Sequence, residues 1–321
     1  MRQEFPRPRR LRQALPLALL LALGAQSACA AEASAAPGGA ALESEQAAIA
    51  QWRSERVASL TSDNGWLTLA GLFWLKEGEN TFGRAPGNAL VLDNAALADT
   101  AGSFVRRGSQ VRFVARAGGG VTHGGAPVTT LELASDASGN PTVLESGALR
   151  FFVIERAGNL GVRVRDLKNP HRLGFRGFEY FPVSTDWVVN ARFERYQPVH
   201  HVRIVNILGM ELEMDSPGAV VFNRDGREWR LDTVLEAPGD PELFIMFADG
   251  TSGHESYGAG RFLYIPMPRG DTAVVDFNKA YNPPCALNEF ATCPLPPWQN
   301  RLSLRVTAGE KKYAGGTEHH L

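Results

Sequence analysis

The stretch AVVFNRDGREWRLDTVL, residues 219–235, decides the fold. Valine, leucine and aromatic residues flank the pair Asp225-Gly226 on both sides. Short runs of this composition are typical of β-strands, and an Asp-Gly pair between two of them is a strong signal for a tight hairpin turn. The stretch therefore predicts two antiparallel strands, Ala219 to Phe222 and Glu228 to Leu235, joined by a turn at Asn223 to Gly226.

Similar runs surround this hairpin and predict a second β domain over residues 193–313. The further strands that we expect in it are Val199 to Leu208, Glu242 to Phe247, Arg261 to Ile265, Thr272 to Phe277 and Arg301 to Ala308. An antiparallel sandwich or barrel accommodates such a series of short strands.

Residues 63–192 predict a first β-sandwich domain. Turn-forming clusters, such as Ala85 to Asn88 and Ser138 to Pro141, recur between short apolar runs. Ahead of them, residues 42–62 place Ile49 and Leu60 at helical spacing and predict an amphipathic helix. The expected fold is thus mostly β: an N-terminal amphipathic helix, a β-sandwich, then a second antiparallel β-sandwich or barrel.

The first domain resembles the opening of a forkhead-associated domain. The resemblance lies in Leu75 to Arg84, followed by Asn88 and the strand Ala89 to Leu92. In that family the Gly-Arg pair, here Gly83-Arg84, begins a phosphothreonine site, and a serine and a histidine follow. The matching stretch Ala98 to Gly102 contains neither, so the resemblance implies the sandwich topology rather than phosphopeptide binding.

The N-terminus predicts export. Residues 1–30 contain five arginines, then the apolar run Leu15 to Leu23, then small residues ending in Ala28-Cys29-Ala30, the order found in secretory signal peptides. We favour cleavage after Ala30 over a lipid anchor at Cys29, because Gln26 stands where lipoprotein signals normally have leucine. The mature protein would be periplasmic or held in the cell envelope, with a flexible leader at residues 31–41 and a frayed tail at 314–321.

Charge and hydropathy exclude several classes of partner. Removing residues 1–30 takes away five arginines and one glutamate, which moves the formal net charge from −1 to −5. A mildly acidic surface argues against nucleic acid as a partner. No apolar run reaches the roughly 20 residues that a transmembrane helix needs, so no transmembrane span is expected.

Two cysteines remain after the signal peptide, Cys285 and Cys293. In an oxidising compartment such a pair predicts a disulfide. Free thiols and a metal pair are the alternatives, and the metal pair lacks both the short ligand spacing and a nearby histidine that zinc sites have. We therefore predict no metal and no cofactor.

The candidate site lies in residues 249–310, which are rich in glycine, proline, asparagine and arginine. Asp276 and Asn278 are two apart on a predicted strand, so both side chains would leave the same face. The stiff sequence Asn282 to Cys285 follows them. The alternative is that the prolines only pin the chain while Asp276 and Asn278 make turn hydrogen bonds.

Arginines complete this candidate site. In Tyr257 to Arg261 the glycines would allow a ligand to approach the backbone, and Arg261 could bind a carboxylate or phosphate. The alternative is a turn in which Arg261 pairs with Asp276 or Glu310. Arg163 and Arg165, on one strand face, could line an anion site between the domains or belong to an internal ion-pair network.

The blocks Asn282-Pro283-Pro284-Cys285 and Thr292 to Pro297 carry a second resemblance. On them the chain is identified as a member of the bacterial family called domain of unknown function 1684, with a match expected from Trp52 to Lys311. The family implies no activity and no catalytic residue.

Three functions follow as hypotheses. The first is binding of a small polar or anionic ligand, in a pocket that would be lined by Arg163, Arg165, Tyr257, Arg261, Asp276, Asn278, Asn282 and Glu310. The second is a hydrolase that uses Asp276 or Glu310 as general base. The third is a structural or protein-interaction module.

Overall fold

The computed structural model describes residues 37–316. The predicted signal peptide, with Cys29 in it, lies outside the described residues, as do most of the leader and the last five residues of the tail. No helix within the described range is long and apolar enough to cross a membrane.

The predicted N-terminal helix is confirmed as α1, Pro37–Thr61. It lies against the body of the protein through Ile49, Arg56 and Leu60, which are all almost fully buried. An arginine among the buried residues of a helix needs a partner, because an uncompensated charge is costly to remove from water. A second, short helix is α2, Pro170–Leu173.

Eleven strands follow α1 and form two sheets. They are β1 Leu69–Trp74, β2 Gly78–Gly83, β3 Leu90–Val91, β4 Gly102–Arg107, β5 Gln110–Ala115, β6 Thr122–His123, β7 Ala126–Pro127, β8 Thr130–Leu133, β9 Leu144–Ser146, β10 Leu149–Arg156 and β11 Asn159–Asp166. One sheet has the order β1-β11-β10-β9-β6-β7 and the other β3-β2-β4-β5-β8. All pairs are antiparallel except the short parallel pair β2–β3.

Phenylalanines fill the core of this N-terminal part. Phe82, Phe104 and Phe113 come from the five-stranded sheet and Phe151 from the six-stranded sheet, and all four are fully buried. The ring centroids of Phe82 and Phe151 are 5.2 Å apart, so the two sheets pack directly on each other. Phe104 and Phe113 are 5.0 Å apart in a tilted arrangement, which is favourable for aromatic pairs.

Six strands form the C-terminal part: β12 Val188–Val205, β13 Glu211–Arg224, β14 Arg227–Thr233, β15 Glu242–Phe247, β16 Arg261–Pro266 and β17 Thr272–Asp276. The order β14-β13-β12-β17 makes one sheet, and β15 pairs with β16. The predicted hairpin is confirmed, since Asp225 and Gly226 join β13 to β14 with φ values of 54° and 71°. Positive φ at both central residues is what a tight hairpin turn requires. The mostly β fold with an N-terminal helix is therefore confirmed.

The expected strand Arg301 to Ala308 is wrong. The segment is extended, and exposed and buried residues alternate along much of it, but it pairs only briefly with residues 248–250. Leu302 donates to the Ala248 carbonyl and Gly250 to the Leu304 carbonyl. The pairing then stops, because residues 249–256 turn away into a loop that is closed by its own hydrogen bonds. Apolar and polar residues alternate in this segment, and they alternate in burial without regular backbone pairing.

Gly218 on β13 provides a test of how closely the long strands β12 and β13 pack. A Cβ atom at this position would lie 2.3 Å from the Glu194 carbonyl oxygen and 2.7 Å from a ring carbon of Phe193. We predict that Gly218→Ala lowers the free energy of unfolding by about 1–3 kcal/mol, measured by urea denaturation. Gly87→Ala is the matched control, since open space surrounds that glycine, and should change the value by less than about 0.5 kcal/mol. Equal effects of the two substitutions would contradict this packing.

Candidate functional site

Glu310 lies at the centre of a buried polar network. Its carboxylate is fully buried and accepts hydrogen bonds from Nε and Nη2 of Arg56, the second at 3.1 Å. The backbone and side-chain nitrogens of Asn282 donate to the same carboxylate at 2.8 and 3.0 Å. Arg56 also donates to the Asn282 carbonyl at 2.9 Å. Glu310 is thus held by an arginine that is 254 positions away in the sequence.

Aromatic rings cover the same network. The guanidinium carbon of Arg56 lies 4.3 Å from the centre of the Tyr281 ring. One turn earlier on α1, Arg53 stacks over Tyr180 at 3.8 Å. Burial and the nearby charge of Glu310 raise the pKa of Tyr180 to about 12, so this phenol stays protonated at neutral pH. Helix α1 is therefore fixed to the C-terminal part by two arginines stacked on two tyrosines.

Arg261 belongs to a neighbouring buried pair with Asp249. Its Nη2 lies 3.1 Å from the Asp249 carboxylate, and it donates to the carbonyls of Val306, Ala308 and Glu310. Burial lowers the pKa of Arg261, and the charge of Asp249 acts in the opposite direction. The expected pairing of Arg261 with the side chain of Asp276 or Glu310 is wrong, since Asp249 is the partner. Arg261 binds the chain segment that precedes Glu310 rather than a surface ligand.

Asp276 and Asn278 lie in a different place and do not form a strand face. Strand β17 ends at Asp276, and Asp276 caps a short helical turn at residues 277–279 by accepting from the backbone and side chain of Asn278, both at 3.0 Å. Lys279 pairs with the other Asp276 oxygen at 2.9 Å. Burial and the neighbouring charge of Asp276 raise the pKa of Glu45. These are the turn hydrogen bonds of the alternative interpretation.

Arg163 is separate again and is almost fully buried. Its Nη2 lies 3.4 Å from the hydroxyl oxygen of Thr292, and its guanidinium faces the Trp66 ring at 5.5 Å. Burial lowers its pKa to about 9, and the positive charges of Arg156 and Arg165 contribute. No carboxylate forms an ion pair with Arg163 within the described part of the chain, so it does not belong to an internal ion-pair network.

Arg165, two residues on, borders a small cavity of about 210 Å³. It donates to the hydroxyl of Thr68 at 2.9 Å. The cavity is also lined by Arg150 and by the acidic residues Asp63 and Glu145. Its two positive and two negative side chains balance, so it has no net charge that would attract an anion.

Cys285 and Cys293 are both buried, and no disulfide joins them in this structure, which differs from the prediction. The Cys285 backbone N–H donates to Sγ of Cys293 at 3.2 Å, and the Tyr257 hydroxyl lies 3.7 Å from Sγ of Cys285. Burial is the main cause that raises the pKa of the Cys293 thiol. Tyr257 is itself buried and packs in a core cluster that includes Trp52 of α1.

The predicted site residues are therefore divided among separate places. Asn282 and Glu310 share one buried network that touches Arg261, whereas Asp276 with Asn278, Arg163, Arg165 and Tyr257 lie elsewhere. Arg261, Asn278, Asn282 and Glu310 have at most 1% of their surface exposed, which leaves a ligand no access to them in this conformation. The single pocket expected from the sequence does not form.

A surface groove of about 880 Å³ lies in the C-terminal part. It runs between the outer half of β12 and residues 295–301, and its polar lining includes His200, Arg203, Asp232, Gln299 and Arg301, with Trp298 beside them. Clefts of this volume are typical of small-molecule sites. Sequence reasoning missed this groove, which is the accessible candidate site.

A connected set of hydrogen bonds holds Asp232 in the lining of the groove, and we call this set the floor. Asp232 accepts from the Tyr196 hydroxyl at 2.7 Å and from Gln299 at 2.8 Å. Arg230 donates to the same Tyr196 hydroxyl at 2.7 Å, and the Tyr196 ring stacks on His200 with centroids 3.8 Å apart. The side chains of the floor therefore hold one another in position before any ligand arrives.

Asn300 anchors the other wall. It is fully buried and exchanges hydrogen bonds with the backbone of Asp232, at 2.7 and 2.9 Å, and also donates to the Met246 carbonyl at 2.9 Å. Pro297 fixes the chain just before the short helical turn Trp298–Asn300. The backbone beneath Trp298 is therefore rigid, although the Trp298 side chain itself is exposed.

Trp298 and Arg301 stand out in this wall. Trp298 is 83% exposed, which is unusual for so large an apolar side chain. Arg301 is also exposed, and its guanidinium makes no ion pair or hydrogen bond with any of the described residues. The other groove arginine, Arg203, pairs loosely with Glu211 at 3.5 Å. The groove thus offers an open aromatic face beside an uncompensated positive charge.

Comparison with known proteins assigns the part of the chain that contains the groove to a protein family. The model of the family described as "Protein of unknown function (DUF1684)" matches residues 173–311. The chain belongs to this family. The match starts later than the expected Trp52, so it covers the groove, Asn282 and Glu310 but not Arg56. It does not reach the first β-sandwich, and the resemblance of that part to forkhead-associated domains is not confirmed.

The other comparisons name no activity. A solution NMR structure of an uncharacterized protein from Haloarcula marismortui is 30% identical, with 44% of this chain and 78% of that chain covered and a TM-score of 0.38. No curated protein matches the chain.

The Arg56–Glu310 pair yields a stability prediction. Arg56→Met would leave the Glu310 carboxylate buried without its cation, so we expect the free energy of unfolding to fall by about 3–5 kcal/mol in urea denaturation. Arg84→Met is the matched control, because Arg84 pairs with Asp99 at the surface with side chains 47% and 74% exposed. The control should lose at most about 1 kcal/mol. A loss for Arg56→Met no larger than that of the control would contradict the assigned role of Arg56.

Proposed function

We propose that this protein binds a small polar or anionic ligand in the groove between β12 and residues 295–301. The observation that carries the proposal is the exposed Trp298 side chain beside the unpaired Arg301, on a backbone fixed by Asn300. A rigid site avoids the cost of ordering its own side chains when a ligand binds. The groove lies in the C-terminal part of the chain, where the sequence led us to expect a ligand site.

The charge of the groove favours an anion. Arg301 has no counter-ion among the described residues, and Arg203 has only an exposed one. The single acidic side chain of the lining, Asp232, already accepts two hydrogen bonds and lies 3.6 Å from Nε of Arg230. The lining therefore has an excess of positive charge, although the whole protein is mildly acidic.

The hydrolase hypothesis has less support. A general base needs a free lone pair within reach of a substrate. Both oxygens of Glu310 accept hydrogen bonds within a buried network, and Asp276 is occupied by Asn278 and Lys279. We therefore favour binding over catalysis. An interaction module needs an apolar contact surface, and the arginines and histidines that surround Trp298 favour a smaller polar ligand.

Export and a disulfide between Cys285 and Cys293 belong to the same proposal. The order of residues 1–30 supports export to the periplasm or cell envelope. The short distance from the Cys285 nitrogen to Sγ of Cys293 supports a disulfide, which would form when both thiols pass two electrons and two protons to a partner disulfide.

Intact-mass analysis of protein recovered from a bacterial host that secretes it tests both points. We expect a chain that begins at Ala31 and that thiol reagents do not modify in denaturant until a reductant is added. The Cys285→Ser variant is the control, since its remaining Cys293 should react without reductant. A lipid-modified Cys29, or reaction of both native cysteines without reductant, would contradict the corresponding part of the proposal.

Thermal-shift measurements test the groove. With a panel of sugars, sugar acids, carboxylates and inorganic phosphate, we expect at least one polar or anionic compound to raise the melting temperature, and Trp298→Ala and Arg301→Ala each to abolish that shift. Both side chains are at the surface, so the melting temperature without ligand should stay nearly unchanged. Arg305→Ala is the matched control, because Arg305 is exposed and pairs with Glu255 outside the groove lining. A shift that survives both groove substitutions would refute the groove as the site.

A further inference from the structure

The side chains that line the groove also indicate the class of its ligand. Trp298 presents a flat apolar face whose position is set by Pro297 before it and by the buried Asn300 after it. Such a face offers a stacking surface for a flat group of a ligand, such as an aromatic ring or the C–H face of a sugar ring. The exposed aromatic side chain, next to positive rather than negative side chains, therefore favours a ligand that contains a ring.

The remaining lining distinguishes these two kinds of ring. Gln299 and the imidazoles of His200 and His201 border the groove, and Asp232 keeps acceptor capacity beyond the two hydrogen bonds that it receives. Together they offer both donors and acceptors, which is what a ligand with several hydroxyl groups requires. A simple aromatic acid would use the tryptophan and the arginine and would leave the remaining donors and acceptors of these side chains unused.

The guanidinium of Arg301 places a positive charge near Trp298. Arg301 follows directly after the helical turn Trp298–Asn300, and its backbone N–H donates to the Trp298 carbonyl at 3.2 Å, which keeps the two residues close together. Both Trp298 and Arg301 line the groove. A ring stacked on Trp298 would thus have its substituents near a guanidinium that can bind a carboxylate through two parallel hydrogen bonds.

We infer that the groove binds an acidic saccharide, with one sugar ring on Trp298 and a uronate carboxylate at Arg301. The volume of about 880 Å³ accommodates a short oligosaccharide better than a single sugar. This inference rests on the proposed function, because it assigns a ligand class to the same groove.

Isothermal titration with matched ligands tests the inference. The probes are trimers of galacturonate, mannuronate and guluronate, each beside its methyl ester, which keeps the ring and removes the charge. We expect at least one acid to bind at least about tenfold more tightly than its ester, which corresponds to about 1.4 kcal/mol. Two control ligands accompany them. Benzoate is an anion with an aromatic ring, and inorganic phosphate is an anion without a ring.

Three variants of the full mature chain make the test specific. Trp298→Ala should weaken acid and ester alike by at least about tenfold, and Trp298→Phe, which keeps an aromatic face, should recover part of that loss. Arg301→Ala should reduce the affinity for the acid to that for the ester. Arg305→Ala should leave both affinities unchanged.

The outcomes distinguish failure of the saccharide assignment from failure of the proposed ligand binding in the groove. Equal binding of acid and ester overturns the assignment of Arg301 to a uronate. Binding of benzoate or phosphate but of no saccharide overturns the saccharide class and leaves the groove as an anion site. Failure of every probe here, together with the absence of any thermal shift in the wider panel, overturns both.

Discussion

The buried ion pair between Arg56 and Glu310 is the interaction on which the rest of the architecture depends. Each charge is costly to bury alone, so the helix that carries Arg56 and the C-terminal segment that carries Glu310 must meet for either to be compensated. Asn282 fills the remaining hydrogen-bonding positions of the carboxylate. The Arg261–Asp249 pair next to it fixes residues 306–310 in the same way. Two buried charge pairs thus connect the first helix, the proline-rich loop and the end of the chain.

This arrangement explains why the charged residues that attract attention in the sequence do not form a ligand site. The carboxylates of Glu310 and Asp276 and the guanidinium of Arg261 make hydrogen bonds within the protein, and a ligand would have to break these bonds to bind. The groove has the opposite character. Its floor is a connected set of hydrogen bonds around Asp232, but Trp298 and Arg301 above it are exposed, and Arg301 has no counter-ion within the described part of the chain. Residues on a rigid base with unused binding capacity are what a binding site needs.

The sequence predicted the elements governed by local rules. The Asp225-Gly226 turn, the strands beside it and the helix that became α1 all follow from spacing and turn chemistry, which act over a few residues. It also identified Glu310, Asn282 and Arg261 as unusual, but not Arg56 or Asp249 as their partners, because those pairs span 254 and 12 positions and depend on the tertiary fold. Trp298 was missed for another reason: a tryptophan in an apolar, proline-rich sequence is expected to be buried, and only the structure reveals its exposure.

The most direct test of this account is a crystal structure of the protein purified from its native source, without added ligand. If the groove is the functional site and the Glu310 network a structural one, any retained molecule will lie against Trp298 within reach of Arg301, and Arg56, Asn282 and Glu310 will keep their mutual hydrogen bonds. A retained molecule bound to Glu310 or Arg261, with the Arg56–Glu310 pair broken, would contradict the account.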